Sequence, residues 1–217
     1  MSPERVRLLV MAAMETLASG ADTLRELDAA VGDGDLGLTV AKGAAAVRGA
    51  LGDMVDPDVP GLLATAGKAF AGANPSTMAA LTGAACASAA KALVDCDDLD
   101  RDAAVLLLRA AVAAVGRRGK AVVGDKTVLD PLQASTEALE SSSSGGEAAL
   151  GEMVGAASEA VEITADLVAR RGRPSWVGER GVGHRDPGAV SYLMFLQALQ
   201  SVWHDAADSA QPSAGGS

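Results

Sequence analysis

The chain has 217 residues, of which 49% are hydrophobic and only 2% aromatic, and its formal net charge at pH 7 is −10. A chain of this length and apolar content can bury the core of one large domain or of two small ones. The acidic charge argues against non-specific nucleic-acid binding and against binding to an anionic membrane surface, because both require a basic face.

Helical periodicity runs along the chain, and alanine, the strongest helix former, is abundant. The first helix is predicted to begin at Pro3, with Ser2 as its N-cap. In chain order, the pattern predicts helices over about residues 3–19, 22–30, 38–51, 60–71, 77–94, 100–118, 127–140, 147–171 and 188–206. No alternating strand pattern interrupts them, so we expect an all-α antiparallel bundle or barrel of about eight helices.

The low-complexity run over residues 141–146 could join two domains, but we interpret it as a surface loop because loops of similar character lie on both sides of it. A single domain is therefore predicted over residues 1–208, followed by a disordered tail over 209–217. Cys86 and Cys96 show no C-x-x-C pattern, which favours two free thiols in a reducing cytoplasm. No targeting or membrane segment is apparent, so we expect a soluble cytoplasmic protein.

An acidic run with interspersed glycines follows the second predicted helix. Asp28, Asp33 and Asp35 fall within eight residues of one another. Like charges this close require a compensating cation. Mg²⁺ prefers oxygen ligands and is often held by one or two carboxylates together with substrate phosphates. The run therefore predicts a metal-bridged nucleotide phosphate, with a solvated acidic turn as the plain alternative.

Two other interpretations of the acidic run fail. Its glycines fit the G-x-G-x-x-G pattern of dinucleotide-binding proteins, but that pattern follows a strand, whereas residues 23–28 have a helical pattern. An EF-hand loop that began at Asp33 would have Gly37 and Ala44 at its fifth and twelfth positions, where the loop needs ligand oxygens.

Three further segments have the composition of phosphate-binding loops. Ser76 and Thr77 stand at a predicted helix start, where free N–H groups favour a phosphate, although ordinary N-capping is the simpler role. Residues 119–130 mix glycines with charged and hydroxyl groups, and a charged inter-helix loop is the alternative. Residues 172–188 are more distinctive, because long loops in compact domains usually serve a function and arginine offers forked donors that match phosphate.

Two residues of the last segment have competing roles. Asp186 precedes Pro187 at a predicted helix start, so capping is an alternative to ligand binding. His184 could act as an acid or base, but a structural role is more common for a loop histidine.

Together these segments resemble the DhaL family, the nucleotide-binding subunits of dihydroxyacetone kinases. The resemblance rests on the acidic run from Asp28 to Gly37 and on residues 124–130, 172–180 and 183–188. The pieces occur in the family's order and spacing, from the first helix to about residue 205. The resemblance implies an eight-helix antiparallel barrel with ADP or ATP bound at one end.

The resemblance also implies roles for individual residues. Asp28, Asp33 and Asp35 would hold two Mg²⁺ ions against the nucleotide phosphates. The implied nucleotide contacts are Leu36, Gly37, Leu38, Thr39, Ser76, Thr77, Gly119, Val128, Arg173, Asp186, Pro187 and Gly188. No catalytic residue is expected beyond these metal and phosphate ligands.

Two positions depart from the family pattern. The family usually has a histidine where Leu36 stands, so this chain lacks one polar group near the phosphates. Residues 74–77 replace a more flexible glycine-rich turn, so the alignment can shift there by one residue. These differences suggest a divergent member that acts on a different small keto-sugar.

We therefore expect a phosphotransferase subunit that transfers a phosphoryl group to dihydroxyacetone, or to a related small ketose, held on a DhaK-like partner. In one branch of the family ADP is a retained cofactor recharged by a DhaM-like phosphocarrier, and in the other ATP is an exchanging substrate. The sequence leaves both branches open, and a homodimer as well. Two alternative functions remain, a nucleotide-sensing module without catalysis and a DhaL-like kinase subunit for another acceptor.

Overall fold

The computed structural model describes residues 1–172, 175 and 178–203. These residues contain the helices α1 (Pro3–Ser19), α2 (Ala21–Val31), α3 (Leu36–Gly52), α4 (Val59–Ala73), α5 (Thr77–Ala92), α6 (Arg101–Gly119), α7 (Leu129–Ser141), α8 (Gly146–Asp166) and α9 (Pro187–Ser201). A short 3₁₀ helix, Gly178–Gly181, precedes α9. The described part of the chain has no strand, as predicted.

Local sequence explains where five of the helices begin. The N-cap side chains of α1, α4, α5, α6 and α9 each accept a hydrogen bond from the backbone N–H three residues later. These caps are Ser2, Asp58, Ser76, Asp100 and Asp186. In α1, α4 and α9 a proline in the first turn follows the cap, where its missing N–H is harmless.

Eight of the described helices form a closed ring. Each helix packs against the next in the order α1, α3, α4, α5, α6, α7, α8, α9, and α9 packs against α1. Helix α2 is not part of this ring and packs against α3 and α9. Neighbours are antiparallel: Arg7, near the start of α1, donates to the Leu51 carbonyl near the end of α3 at 3.2 Å. Near the start of α1, Cζ of Arg5 lies 5.5 Å from the centre of the aromatic ring of Trp203, a residue just beyond the end of α9, so α1 and α9 are also antiparallel. The predicted all-α antiparallel barrel is confirmed.

Small residues let neighbouring helices of the ring approach closely. A Cβ atom on Gly43 of α3 would come within 2.4 Å of the Phe70 ring on α4. A Cβ atom on Gly67 of α4 would come equally close to Cβ of Cys86 on α5, at 2.4 Å. The low aromatic content of the chain therefore reflects a core built from aliphatic and small side chains.

The antiparallel ring places alternate connections at the same end of the barrel. One end, which we call the site end, collects the described residues 20, 32–35, 74–76, 120–128, 167–172, 175 and 178–186. The opposite end collects residues 53–58, 93–100 and 142–145. Every segment that the sequence singled out for phosphate or metal binding thus belongs to the site end.

The end of α8 differs from the prediction. The helix stops at Asp166, short of the predicted end near residue 171, because Leu167 takes an extended conformation with φ −88° and ψ 152°. The Leu167 carbonyl instead accepts a hydrogen bond from the Lys126 ammonium at 3.0 Å. A tertiary contact therefore overrides the local helical preference of residues 167–171.

Helix α9 ends at Ser201, and the predicted end near residue 206 lies outside the described residues. The predicted disordered tail, residues 209–217, lies outside the described residues, and the single domain over 1–208 stays a prediction. Cys86 and Cys96 are free, as expected. Among the described helices, none combines the length and the hydropathy that crossing a membrane requires.

Candidate functional site

Three carboxylates meet at the turn between α2 and α3. Asp28 lies near the end of α2, Asp33 in the turn and Asp35 at the N-cap of α3. One oxygen from each lies within 4.8 Å of the others, and the three residues range from buried Asp28 to exposed Asp33. Oxygen donors at this spacing fit a hard divalent cation such as Mg²⁺. The sequence-predicted metal ligands are thus brought together.

Two glycines and a hydrogen bond from a backbone N–H group fix the conformation of this turn. Gly34 has φ +74°, a left-handed conformation that other residues rarely adopt. A Cβ atom on Gly32 would lie 2.5 Å from Oδ1 of Asp28, so a side chain there would displace the carboxylate. The other oxygen of Asp28 accepts a hydrogen bond from the Leu36 N–H at 3.2 Å. Asp28 is therefore fixed against the first turn of α3.

A cleft opens at the site end beside the three carboxylates. Most of the sequence-predicted site residues line it, contributed by α2, by the starts of α3, α5 and α9, by the end of α6 and by the α6–α7 connection. These are Asp28, Asp35, Leu36, Thr39, Ser76, Thr77, Gly119, Val128, Asp186, Pro187 and Gly188. Residues far apart in the chain thus share one cavity.

Among the described residues, three of those predicted are not part of the cleft lining. Asp33 joins the carboxylate cluster only. Gly37 is buried against α2, where a Cβ atom would lie 2.1 Å from the Ala21 carbonyl oxygen, and the Leu38 side chain is 52% exposed. The N–H groups of Gly37 and Leu38 still belong to the first turn of α3, whose donors lack intrahelical acceptors. Arg173 lies outside the described residues.

Several lining residues were missed by the sequence argument. Met78, Leu81, Val115 and Ala121 give the cleft an apolar wall. In the sequence, these residues cannot be distinguished from core residues, because apolar side chains at helical spacing usually mark buried faces. Thr127, Arg171 and Gly172 also line the cleft. An apolar wall beside polar loops suits a ligand with a flat ring and an anionic tail.

The starts of three helices meet at the cleft. Leu36 of α3, Thr77 of α5 and Pro187 of α9 all belong to first turns and all line it. Helix N-termini carry partial positive charge and unpaired N–H donors, so together they favour an anionic group such as phosphate. Thr39 Oγ1 accepts a hydrogen bond from Asn74 Nδ2 at 2.9 Å, which joins α3 to the turn before α5.

Asp186 caps α9 at the edge of the cleft. Its carboxylate accepts from the Ala189 N–H at 2.8 Å, and its own N–H donates to Thr164 Oγ1 at 3.0 Å. Burial raises the pKa of Asp186 to about 7, and the nearby charges of Asp130 and Asp28 act in the same direction. Asp186 therefore fulfils the capping role that the sequence offered as an alternative, and it also lines the cleft.

The segment 124–130 mainly holds loops together. The Lys126 ammonium donates to the carbonyls of Leu167 at 3.0 Å and Gly181 at 2.8 Å, and burial lowers its pKa. The Asp130 carboxylate accepts from the N–H groups of Gly124 and Thr127. His184 is exposed and is not among the residues that line the cleft.

A family model described as the DAK2 domain matches residues 30–201. The chain is 38% identical over 197 residues to the L-erythrulose 1-kinase of Mycolicibacterium smegmatis, covering 88% of this chain and 34% of that protein. It is 31% identical over 188 residues to the ADP-binding subunit DhaL of the PEP-dependent dihydroxyacetone kinase of Escherichia coli, covering 85% of this chain and 90% of the relative.

A similar solved structure is that of the dihydroxyacetone kinase from C. freundii in complex with AMP-PNP and Mg²⁺. It superposes with a TM-score of 0.72 at 25% sequence identity, over 90% of this chain and 33% of that one. The chain thus spans about a third of the length of the erythrulose kinase and of this kinase structure, and about nine-tenths of the bacterial subunit.

Proposed function

The chain belongs to the DAK2-domain, or DhaL, family, and from that premise we propose that it is the nucleotide-binding subunit of a small-ketose kinase. The observation that carries the proposal is the cluster of Asp28, Asp33 and Asp35 beside a cleft where three helix N-termini meet. The names of its relatives support the same class, because they include an erythrulose kinase and an ADP-binding kinase subunit.

We propose that the three carboxylates hold two Mg²⁺ ions and that the cleft holds ADP or ATP. When bound, the metal would offset the negative charge that develops as the γ-phosphoryl group leaves. The chain's own groups position the nucleotide. Those first-turn N–H groups of α3, α5 and α9 that no capping side chain takes up would bind the phosphates, and the apolar wall of Met78, Leu81 and Val115 would cover the base. Such transfers depend mainly on positioning and electrostatics.

The acceptor belongs on a partner protein. The ionisable residues among the described cleft lining are Asp28, Asp35, Asp186 and Arg171, and the three acids are committed to the metal cluster or to capping α9. We propose that a DhaK-like subunit holds dihydroxyacetone, erythrulose or a similar ketose, and that the two proteins meet at the site end. The free thiols of Cys86 and Cys96 support a cytoplasmic location for the pair.

The metal assignment is tested by calorimetric titration of ADP and ATP with Mg²⁺ and with a chelator. We expect nucleotide affinity to fall at least about tenfold with chelator, and equally in Asp33→Asn and Asp35→Asn, because a weakened ligand shell loses metal affinity on this scale. Asp97→Asn, an exposed aspartate in the connection 93–100 at the opposite end, is the matched control and should bind as the wild type does. Unchanged affinity in both site variants contradicts the metal site.

The transfer itself is tested by supplying a DhaK-like subunit and following phosphorylation of dihydroxyacetone and erythrulose. We expect product only when the chain, the partner, Mg²⁺ and a phosphoryl donor are all present. Running the assay with ATP and separately with ADP plus a DhaM-like phosphocarrier distinguishes an exchanging substrate from a retained cofactor. Phosphorylation of the free ketose by the chain alone would contradict the partner requirement.

A further inference from the structure

The connection between α8 and α9 spans residues 167–186 and brings Arg171 and Gly172 to the cleft wall. A connection of this length needs anchoring contacts, because backbone groups outside helices must find other hydrogen-bond partners. Its two ends lie side by side, since the Gly183 N–H donates to the Ala165 carbonyl at 2.8 Å. We call residues 165–167 and 181–183 the neck of this connection.

Lys126, from the α6–α7 connection, bridges the neck. Its ammonium donates to the Leu167 carbonyl at 3.0 Å on one side and to the Gly181 carbonyl at 2.8 Å on the other. The side chain is only 1% exposed. A buried cation requires compensation, which here comes from the two carbonyls and from the nearby charges of Asp186 and Asp166.

The residue before Lys126 holds the same connection at a second place. The Asp125 carbonyl accepts from the Arg170 N–H at 3.1 Å, and its carboxylate accepts from Arg171 Nε at 3.3 Å. Thr127, the residue after Lys126, lines the cleft, as Arg171 does. Asp125 and Lys126 therefore join two connections that form one wall of the cleft.

This arrangement differs from the usual use of lysine in a glycine-bearing loop at a nucleotide site. Such a lysine commonly reaches the phosphates directly. Here the Lys126 ammonium is committed to two carbonyls of another loop, and Lys126 is not among the residues that line the cleft. Its contribution to the site is to hold other residues in place.

We propose that Lys126 is a positioning residue of the nucleotide site. Its ammonium closes the neck of the α8–α9 connection and so fixes Arg171 and Gly172 at a set distance from Thr127 and Val128. The identity of the ligand rests on the function proposed above, whereas the closed neck is a property of the chain without ligand.

The test compares Lys126→Met with Lys120→Met. Both lysines belong to the α6–α7 connection and both have left-handed backbones, with φ 61° and 50°, so methionine meets the same backbone requirement at each position. Lys120 is exposed and has no part in the neck. We expect amide hydrogen exchange of Arg170 and Gly183, measured without nucleotide, to be at least about tenfold faster in Lys126→Met alone, since hydrogen bonds to a charged group are lost.

The second readout is the Mg²⁺-dependent affinity for ADP. We expect Lys126→Met to weaken it and, in the assay with partner, to raise KM for the nucleotide more than it lowers kcat, because the residue positions the wall and does not touch the reacting atoms. Normal exchange at the neck, or faster exchange with unchanged nucleotide affinity, overturns the proposal. Lys126→Gln serves the same two measurements if the methionine variant does not fold.

The two proposals can fail separately. If the wild-type chain binds no nucleotide, the proposed function fails, while the exchange rate of Gly183 still decides whether Lys126 closes the neck. If the wild type binds nucleotide and the Lys126 variants bind equally well, the positioning role alone is wrong.

Discussion

Asp186 is a buried carboxyl that caps α9 and also lines the cleft. Burial raises its pKa from 3.8 to about 7, although the hydrogen bond from Ala189 favours the ionised form. Between these two pH values the folded chain keeps a proton that the unfolded chain has released. The contribution of this residue to the free energy of unfolding is therefore largest below about pH 4. This contribution is lost as the pH rises through about 7.

Asp186→Asn removes this pH dependence and keeps a good N-cap. Without metal or nucleotide, we expect the Tm of the variant minus that of the wild type to increase from pH 5 to pH 8, because only the wild type must bury a charge at the higher pH. Asp100→Asn makes the same change at the exposed N-cap of α6 and should show no such trend. Thermal denaturation followed by circular dichroism gives both differences, and a pH-independent difference for Asp186→Asn would contradict the raised pKa.

The proximity of side chains could be predicted from the sequence where its cause is local. The carboxylates of Asp28, Asp33 and Asp35 converge because a short glycine-bearing turn joins them. The role of Lys126 could not be predicted, because its acceptors lie 41 and 55 residues away. Leu36 shows a mixed outcome: it lines the cleft, but its side chain is only 7% exposed and belongs to the hydrophobic core.

The start of α3 both packs against α2 and lines the cleft. Gly37 lets this first turn approach α2, where a Cβ atom would lie 2.1 Å from the Ala21 carbonyl oxygen. A backbone atom cannot give way as the end of a flexible side chain can. The glycine at position 37 therefore has a steric cause that does not depend on a nucleotide.

Two glycine substitutions in α3 separate this packing requirement from helix propensity. We expect Gly37→Ala to lower the free energy of unfolding by about 1–3 kcal/mol, because the added methyl group overpacks the contact with α2. Gly49→Ala, where no atom lies within 4 Å of the added Cβ, should raise it by about 0.5–1 kcal/mol. Urea denaturation measures both changes, and a free energy of unfolding that is unchanged or raised in Gly37→Ala would show that the approach at Gly37 is not tight.

Elements were predicted well where periodicity and capping agree. The starts of α1, α5 and α9 follow from Ser2, Ser76 and Asp186, each of which accepts the expected capping hydrogen bond. The end of α8 was missed because the Leu167 carbonyl is used by a lysine from another connection. The position of α2 outside the ring also escaped prediction, since its apolar pattern resembles that of the ring helices.

The whole molecule presents exposed valines at both ends of the barrel. Val122 and Val123, in the α6–α7 connection at the site end, are 65% and 59% exposed, and Val55 at the opposite end is 84% exposed. If a partner delivers the acceptor to the cleft, the valines at the site end are the ones that it covers. Exposed apolar groups beside a binding site often mark such a contact.

Val123→Asp and Val55→Asp test this docking geometry with the same change at the two ends. We expect Val123→Asp to raise the KM for a DhaK-like partner by roughly tenfold or more, because a carboxylate would lose solvent in the contact. Its nucleotide affinity should stay unchanged, and Val55→Asp should alter neither quantity. Steady-state kinetics with varied partner concentration measure the effect, and equal behaviour of the two variants would place the contact elsewhere.

Closure of the ring by α9 against α1 has a consequence for covalent fusion. Cζ of Arg5 lies 5.5 Å from the centre of the Trp203 aromatic ring, so the start of α1 and the end of α9 lie side by side at the end of the barrel opposite the cleft. The 21 residues of α8 set the height of the barrel at roughly 30 Å. A tether that joins a second domain to either extremity must therefore extend over about ten residues before that domain can reach the mouth of the cleft.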